Sequence, residues 1–170
     1  RVVVSQIHRS PGVIFTNEKG VYSSRIIPYR GSWLEFEIDE KKHVIAAKID
    51  RKKRILGTLF LRAIGYNTRE KIIEAFYATK SMELTQENKG EFDGMYPAKD
   101  VYAKIEGNDE KVFQAGTPLN ANDIEKLIEY GVTSLEVVDM EAEDSLHSDM
   151  VLNCFAIEES KYTNSGVSDE

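Results

Sequence analysis

Apolar and polar positions alternate through the first third of the chain, then change period. Val2 to Ile7 is β-branched and reads as a strand, broken by Pro11-Gly12. Val13-Ile14-Phe15 resumes an extended run up to the turn TNEKG, and VYSSRIIPYR and WLEFEID follow. In the last of these Trp33, Phe36 and Ile38 are apolar while Glu35 and Glu37 share a solvent-side phase, with Leu34 breaking the alternation. DEKKH turns the chain and VIAAKID returns, which makes an antiparallel meander.

The period then becomes helical. Ile55, Leu56, Leu59, Phe60, Ala63 and Ile64 recur at helix spacing, and Gly65 closes the segment as a C-terminal cap. Thr68 is placed to cap a second helix with the stripe Ile72, Ile73, Phe76 and Tyr77. Two helices so closely joined form a hairpin or corner. From Ser81 to Ala98 the chain is polar and punctuated by glycine, and reads as a connector. VYAKIEG (101–107) reads as a strand and Gly116-Thr117-Pro118 as a turn. Asn120 can cap a helix whose third residue, Asp123, suits the positive end of the helix dipole. Ile124, Leu127 and Ile128 form its apolar stripe and Gly131 stops it. TSLEVV and MVLNCFAIEE read as two more strands, and the tail SKYTNSGVSDE as frayed. The fold class expected is α+β: antiparallel strands with a helical hairpin, followed by a small strand-turn-helix-strand module.

Charge divides the chain. The net charge of −7 conceals a first part, 1–80, with 16 Lys and Arg against 8 Asp and Glu, and a second, 81–170, with 6 against 21. A boundary is therefore expected near Lys80, with a basic half suited to a polyanion and an acidic half repelled by one. The single cysteine, Cys154, excludes an internal disulfide framework, fits a reducing compartment, and reads as a buried inert thiol. No run is long enough to span a bilayer, and no charged-then-apolar leader is visible.

Catalytic chemistry finds little support. His8, His43 and His147 stand far apart, and no Cys or His pair has metal-ligand spacing. No phosphate-binding glycine loop and no nucleophile elbow occurs. The carboxylates of DMEAEDS read as a solvated acidic loop. Nucleic-acid binding is better supported. DRKKR puts four consecutive cations, Arg51, Lys52, Lys53 and Arg54, between a strand and a helix, either as a phosphate-contacting cluster or as a solvated basic loop. RIIPYRGSW adds Arg25, Arg30 and the only tryptophan, Trp33, which is either a stacking platform for an exposed base or a core residue of its strand.

RVVVSQIHRSPGV, YSSRIIPYRGSW, IDRKKR and LFLRAIGY resemble, in order and spacing, segments of the β subunit of bacterial DNA-dependent RNA polymerase. The resemblance covers most of residues 1–66 and implies that the chain, which has no initiator Met, is a piece of a much longer subunit. It implies that Val2 to Ile7 joins the protrusion to the lobe and that 1–80 is the N-terminal part of the lobe. KVFQAGTPLNANDIEKLIEYGV resembles the lineage-dependent insertion in the lobe, which makes 81–170 an insertion module.

By position, the resemblance implies that Trp33 stacks on a non-template base and that Arg9 lines a pocket for a neighbouring one. It places Arg51, Lys52, Lys53 and Arg54 on a basic run facing the cleft, and Val4 and Gln6 near the rifamycin pocket. Lys in place of some arginines keeps the charge of that run but loses the planar fork. The implied partners are DNA, as downstream duplex and non-template strand, and the β′, α, ω and σ subunits of a cytoplasmic enzyme, with no membrane. No catalytic residue, metal or cofactor is expected in this segment, since the nucleotidyltransferase's Mg²⁺ is held by another subunit. The competing reading is a protein–protein interaction module whose acidic half binds a basic partner.

Overall fold

The computed structural model describes residues 1–5 and 9–164. It consists of two compact units, Arg1–Phe60 and Leu61–Glu170. Antiparallel sheets and helices occur together, as the α+β expectation requires.

The N-terminal unit is a five-stranded antiparallel meander in the order β1 (Gly12–Glu18), β2 (Val21–Ile27), β3 (Leu34–Asp39), β4 (Val44–Ile49), β5 (Ile55–Leu56). The β1–β2 turn is made by Lys19 and Gly20, both with positive φ, and Asn17 accepts the Gly20 N–H at 3.1 Å. That is the primed hairpin turn the twist of adjacent strands favours. Directly opposed residues of an antiparallel pair share a face. Ser24, Phe36, Ala47 and Ile55 lie in one row of the sheet, and Ile26, Leu34 and Ile49 in the next. This apolar face receives the start of helix α1 (Gly57–Ala63): Phe60 meets Phe36 edge to face at 5.6 Å. Gly57 lies against Ile45, where an added Cβ would stand 3.1 Å from the Ile45 carbonyl oxygen. The opposite face carries Ser23, Arg25, Glu35, Glu37 and Lys48.

Four expectations fail here. Arg1 to Ser5 form no strand, and Val2, Val3 and Val4 are 92%, 88% and 85% exposed; a β-branched run needs a neighbouring strand, and none among the described residues pairs with it. Gln6, Ile7 and His8 lie outside the described residues. The helix begins at Gly57 rather than Ile55, because Ile55 and Leu56 pair with Ala47 and Ala46. The basic run therefore joins strand to strand. Finally, Glu35 lies on the polar face but is buried, at 6% exposure, with Arg25 and Arg51 against it.

In the C-terminal unit, α1 ends as expected: the Tyr66 N–H donates to Leu61 O across Gly65, a Schellman closure. Thr68 caps α2 (Arg69–Phe76) by accepting the Lys71 N–H at 3.3 Å. Strand β6 (Ala78–Glu83) pairs antiparallel with β9 (Ser134–Asp139), and β7 (Val101–Ile105) with β8 (Asn108–Phe113). Between β8 and β9 runs α3 (Ala121–Glu129), whose N-terminus is a full capping box. Asn120 accepts the Asp123 N–H at 3.0 Å, and Asp123 accepts the Asn120 N–H at 3.3 Å. Leu84, Phe92, Leu119, Ile124, Leu127, Leu135 and Val137 form one core.

The connector expected over 81–98 is instead part of this unit. Its first residues belong to β6, and a 3-10 turn at Lys89–Phe92 drives Phe92 into the core. The charge boundary at Lys80 thus falls inside a paired strand, and the compact units divide after Phe60. MVLNCFAIEE is not a strand but the first part of α4 (Met150–Asn164). Val151, Leu152, Cys154, Phe155 and Glu158 are its buried positions, which is helical spacing. Ser160 to Asn164 continue that helix, and the rest of the tail lies outside the described residues. No helix of the described residues is long and apolar enough to cross a membrane.

Candidate nucleic-acid interface

The basic run is presented by a strained turn. Asp50 and Arg51 both have positive φ, 52° and 57°, and the Lys52 N–H donates to Ile49 O at 3.0 Å. Two successive central residues in the left-handed region define a primed turn. For an ordinary L-residue this costs roughly 1–2 kcal/mol, less for Asp. Three hydrogen bonds offset that cost. The Asp50 N–H donates to Trp33 O at 2.9 Å, its Oδ1 accepts the Trp33 N–H at 3.0 Å, and its Oδ2 accepts the Ser32 hydroxyl at 2.6 Å. The Ser32 and Trp33 bonds also hold the Asp50 carboxyl below its usual range.

The turn brings the expected residues together. Trp33 stands one residue before β3, in phase with Glu35 and Glu37, and is half-buried. The Arg9 guanidinium lies over its ring at 5.1 Å from the centroid and that of Arg51 at 5.5 Å. The indole is therefore neither sealed in the core nor bare; cations meet it. Each such contact is worth about 0.5–1 kcal/mol at an exposed site.

The four cations differ from one another. Arg54 donates to Glu37 at 2.8 Å and to Asp39 at 3.0 Å. Arg51 reaches Glu35 at 3.8 Å, which Arg25 also approaches at 3.4 Å. Lys52 and Lys53 are exposed and make no salt bridge among the described residues. The carboxylates Glu35, Glu37 and Asp39 give no sequence signal of this kind, because alternation fixes the row a residue joins but not what opposes it. Val4 is exposed, and Gln6 lies outside the described residues.

Glu37 is held below its ordinary pKa first by the Lys48 ammonium, 2.7 Å away, then by Arg54, with burial opposing. A carboxylate with a lowered folded pKa contributes stability above the unfolded value that is lost as pH falls through the folded one. Thermal melts of the chain should therefore fall as pH drops below about 4.5, and Glu37→Gln should flatten that fall. Equal pH dependence in the two proteins would refute the assignment.

Among the described residues no group of three His, Cys, Asp or Glu is arranged to hold a metal ion. Cys154 is buried. His147 meets the Met140 carbonyl, and the acidic run from Asp139 to Asp144 is largely exposed.

At this end of the sheet two guanidinium groups thus gather round one indole, beside arginines and a lysine paired with carboxylates. The family described as RNA polymerase Rpb2, domain 2, matches residues 2–142, and the chain belongs to that family. It is similar to the DNA-directed RNA polymerase subunit beta of Treponema denticola, 56% identical over all of this chain and 15% of that protein. The subunit of the same name from Treponema pallidum is 50% identical over all of this chain and 15% of that protein. That of Borrelia hermsii is 48% identical over 96% of this chain and 14% of that protein. The resemblance read from the four N-terminal motifs is thereby borne out, and the chain spans about one-seventh of the length of these relatives.

Proposed function

We propose that this chain is the lobe segment of a bacterial RNA polymerase β subunit and grips DNA through the sheet face that carries Trp33. The lobe part and the insertion module expected over 1–80 and 81–170 are then not separate bodies at Lys80, since β6 crosses that position and pairs with β9. The whole enzyme is a cytoplasmic nucleotidyltransferase working with β′, α, ω and σ subunits, its Mg²⁺ on another subunit. By the resemblance, Val4 and Gln6 match sequence positions near the rifamycin pocket. The observation that carries the reading is the pair of guanidinium groups, Arg9 and Arg51, over the one indole of the chain.

The chemistry follows from magnitudes. A base stacked on an exposed aromatic gains about 1–3 kcal/mol, more than the roughly 0.5–1 kcal/mol lost when one guanidinium swings aside. A displaced guanidinium remains next to the incoming nucleotide, where it can meet phosphate or stack on the base. Lys52 and Lys53, exposed and in no salt bridge among the described residues, supply phosphate contacts without reading sequence.

The test uses a polymerase assembled with this chain. Trp33→Ala should reduce the preference among bases at one position of the unpaired non-template strand by about three- to tenfold, with overall retention on DNA little altered. Unchanged preference would overturn the stacking role. Loss of a protein partner with DNA binding intact would instead favour the acidic module as the working part.

A further inference from the structure

Asp50 carries the wrong charge for a DNA-facing surface, yet its carboxylate hydrogen-bonds both Trp33 and Ser32. Trp33 lies one residue outside the β3 ladder, and the segment before it, Pro28 to Ser32, belongs to no strand. What fixes its backbone is Asp50, through Oδ1 to the Trp33 N–H at 3.0 Å and through its own N–H to Trp33 O at 2.9 Å. Oδ2 holds the adjoining Ser32 hydroxyl at 2.6 Å. The same residue begins the positive-φ pair that turns Arg51 toward the indole. Asp tolerates the left-handed region and bonds locally as few residues do.

We propose that Asp50 is a positioning residue of the interface, whose carboxylate and backbone clamp Ser32 and Trp33 so that the indole and the Arg51 guanidinium form one stacking face. This rests on the reading of Trp33 as a DNA contact and assigns the residue that makes the contact possible. The electrostatics are consistent with it: the Ser32 and Trp33 donors, and then the Lys52 charge, hold the carboxyl below its usual range against the cost of burial.

The experiment places the fluorescent base 2-aminopurine in the unpaired non-template strand of a preformed bubble bound by polymerase containing this chain. Stacking on Trp33 quenches it. Trp33→Ala should abolish the site-specific quench, and Asp50→Ala should weaken it at least about threefold. Asp50→Asn should restore it to within about twofold, since its Oδ1 still accepts the Trp33 N–H and its amide can donate to the Ser32 hydroxyl. The double variant Trp33→Ala with Asp50→Ala should match Trp33→Ala alone, the non-additivity expected of a residue acting through another. A full quench in Asp50→Ala, with none in Trp33→Ala, would overturn the positioning role and leave the stacking reading standing. A full quench in Trp33→Ala would overturn both. If Asp50→Ala does not assemble, Ser32→Ala removes one contact and should give a partial loss; wild-type quenching in that variant would count against the clamp.

Discussion

Phe155→Ala should lower the unfolding free energy of the C-terminal unit by about 3–5 kcal/mol, the cost of emptying a fully buried aromatic site. The ring is fully buried in α4. It lies under the Arg69 guanidinium, 5.1 Å from the ring centroid, and so close to Gly116 that a Cβ there would stand 2.8 Å from Cδ2. Gly116 has a φ of 74° and carries no side chain that could move in to refill the cavity. Arg69 would lose its cation–π contact while keeping the Glu159 carboxylate at 2.6 Å and the Ala115 carbonyl at 3.3 Å. Urea unfolding of the chain followed by far-UV circular dichroism measures the loss. Ala156→Ser, on an exposed position of the same helix, should change stability by less than about 0.5 kcal/mol. A loss below about 1 kcal/mol for Phe155→Ala would show that α4 is not seated as described.

The same helix shows where sequence reading succeeds and where it stops. Thr68, Asn120 and Asp123 act within one turn of their own positions, as do Gly65 and Gly131, and such local signals are legible without knowing the fold. MVLNCFAIEE contains both signals at once: a dense apolar run suggests a strand, but positions 151, 152, 154, 155 and 158 follow a helical stripe. Period outweighs composition here. Strand β6 was hidden for the opposite reason. Most of it is exposed, and its order comes from the β9 ladder, a partner more than fifty residues away.

The interface was legible in its parts and not in its wiring. Trp33 and Arg51 are visible as residue types suited to nucleic acid, Arg9 enters only through the resemblance, and the fold brings these three together. Glu35 and Glu37 were read as solvent-side carboxylates because alternation alone does not reveal that Arg25, Lys48, Arg51 and Arg54 oppose them. Asp50 stands in the sequence only as the edge of a basic run. Its signal is chemical: an Asp between a strand and a cationic stretch is a turn former able to bind backbone N–H groups across the sheet.

That wiring makes the four cations unequal, and the second large effect follows from it. Lys52→Gln with Lys53→Gln should weaken binding of the assembled polymerase to DNA by about one to two orders of magnitude near 0.1 M salt, and reduce the salt slope by about two contacts' worth. Neither lysine makes a salt bridge among the described residues, Lys52 acting on Asp50 only as a nearby charge, so the charge they bring is available to phosphate, and folding stability should stay within about 0.5 kcal/mol. Arg54→Gln should behave differently. Its guanidinium bridges Glu37 and Asp39, and without it these carboxylates share one sheet face with only Lys48 on Glu37. Stability should fall by about 0.5–1 kcal/mol, since the arginine is partly exposed. Affinity should fall as well, through the uncovered negative charge rather than a lost phosphate contact. Salt titrations of binding, paired with melting curves of each variant, separate the two. A salt slope unchanged by the lysine pair, or reduced as much by Arg54→Gln without loss of stability, would mean that phosphate is held by the paired arginines and that the division drawn from the ion pairs is wrong.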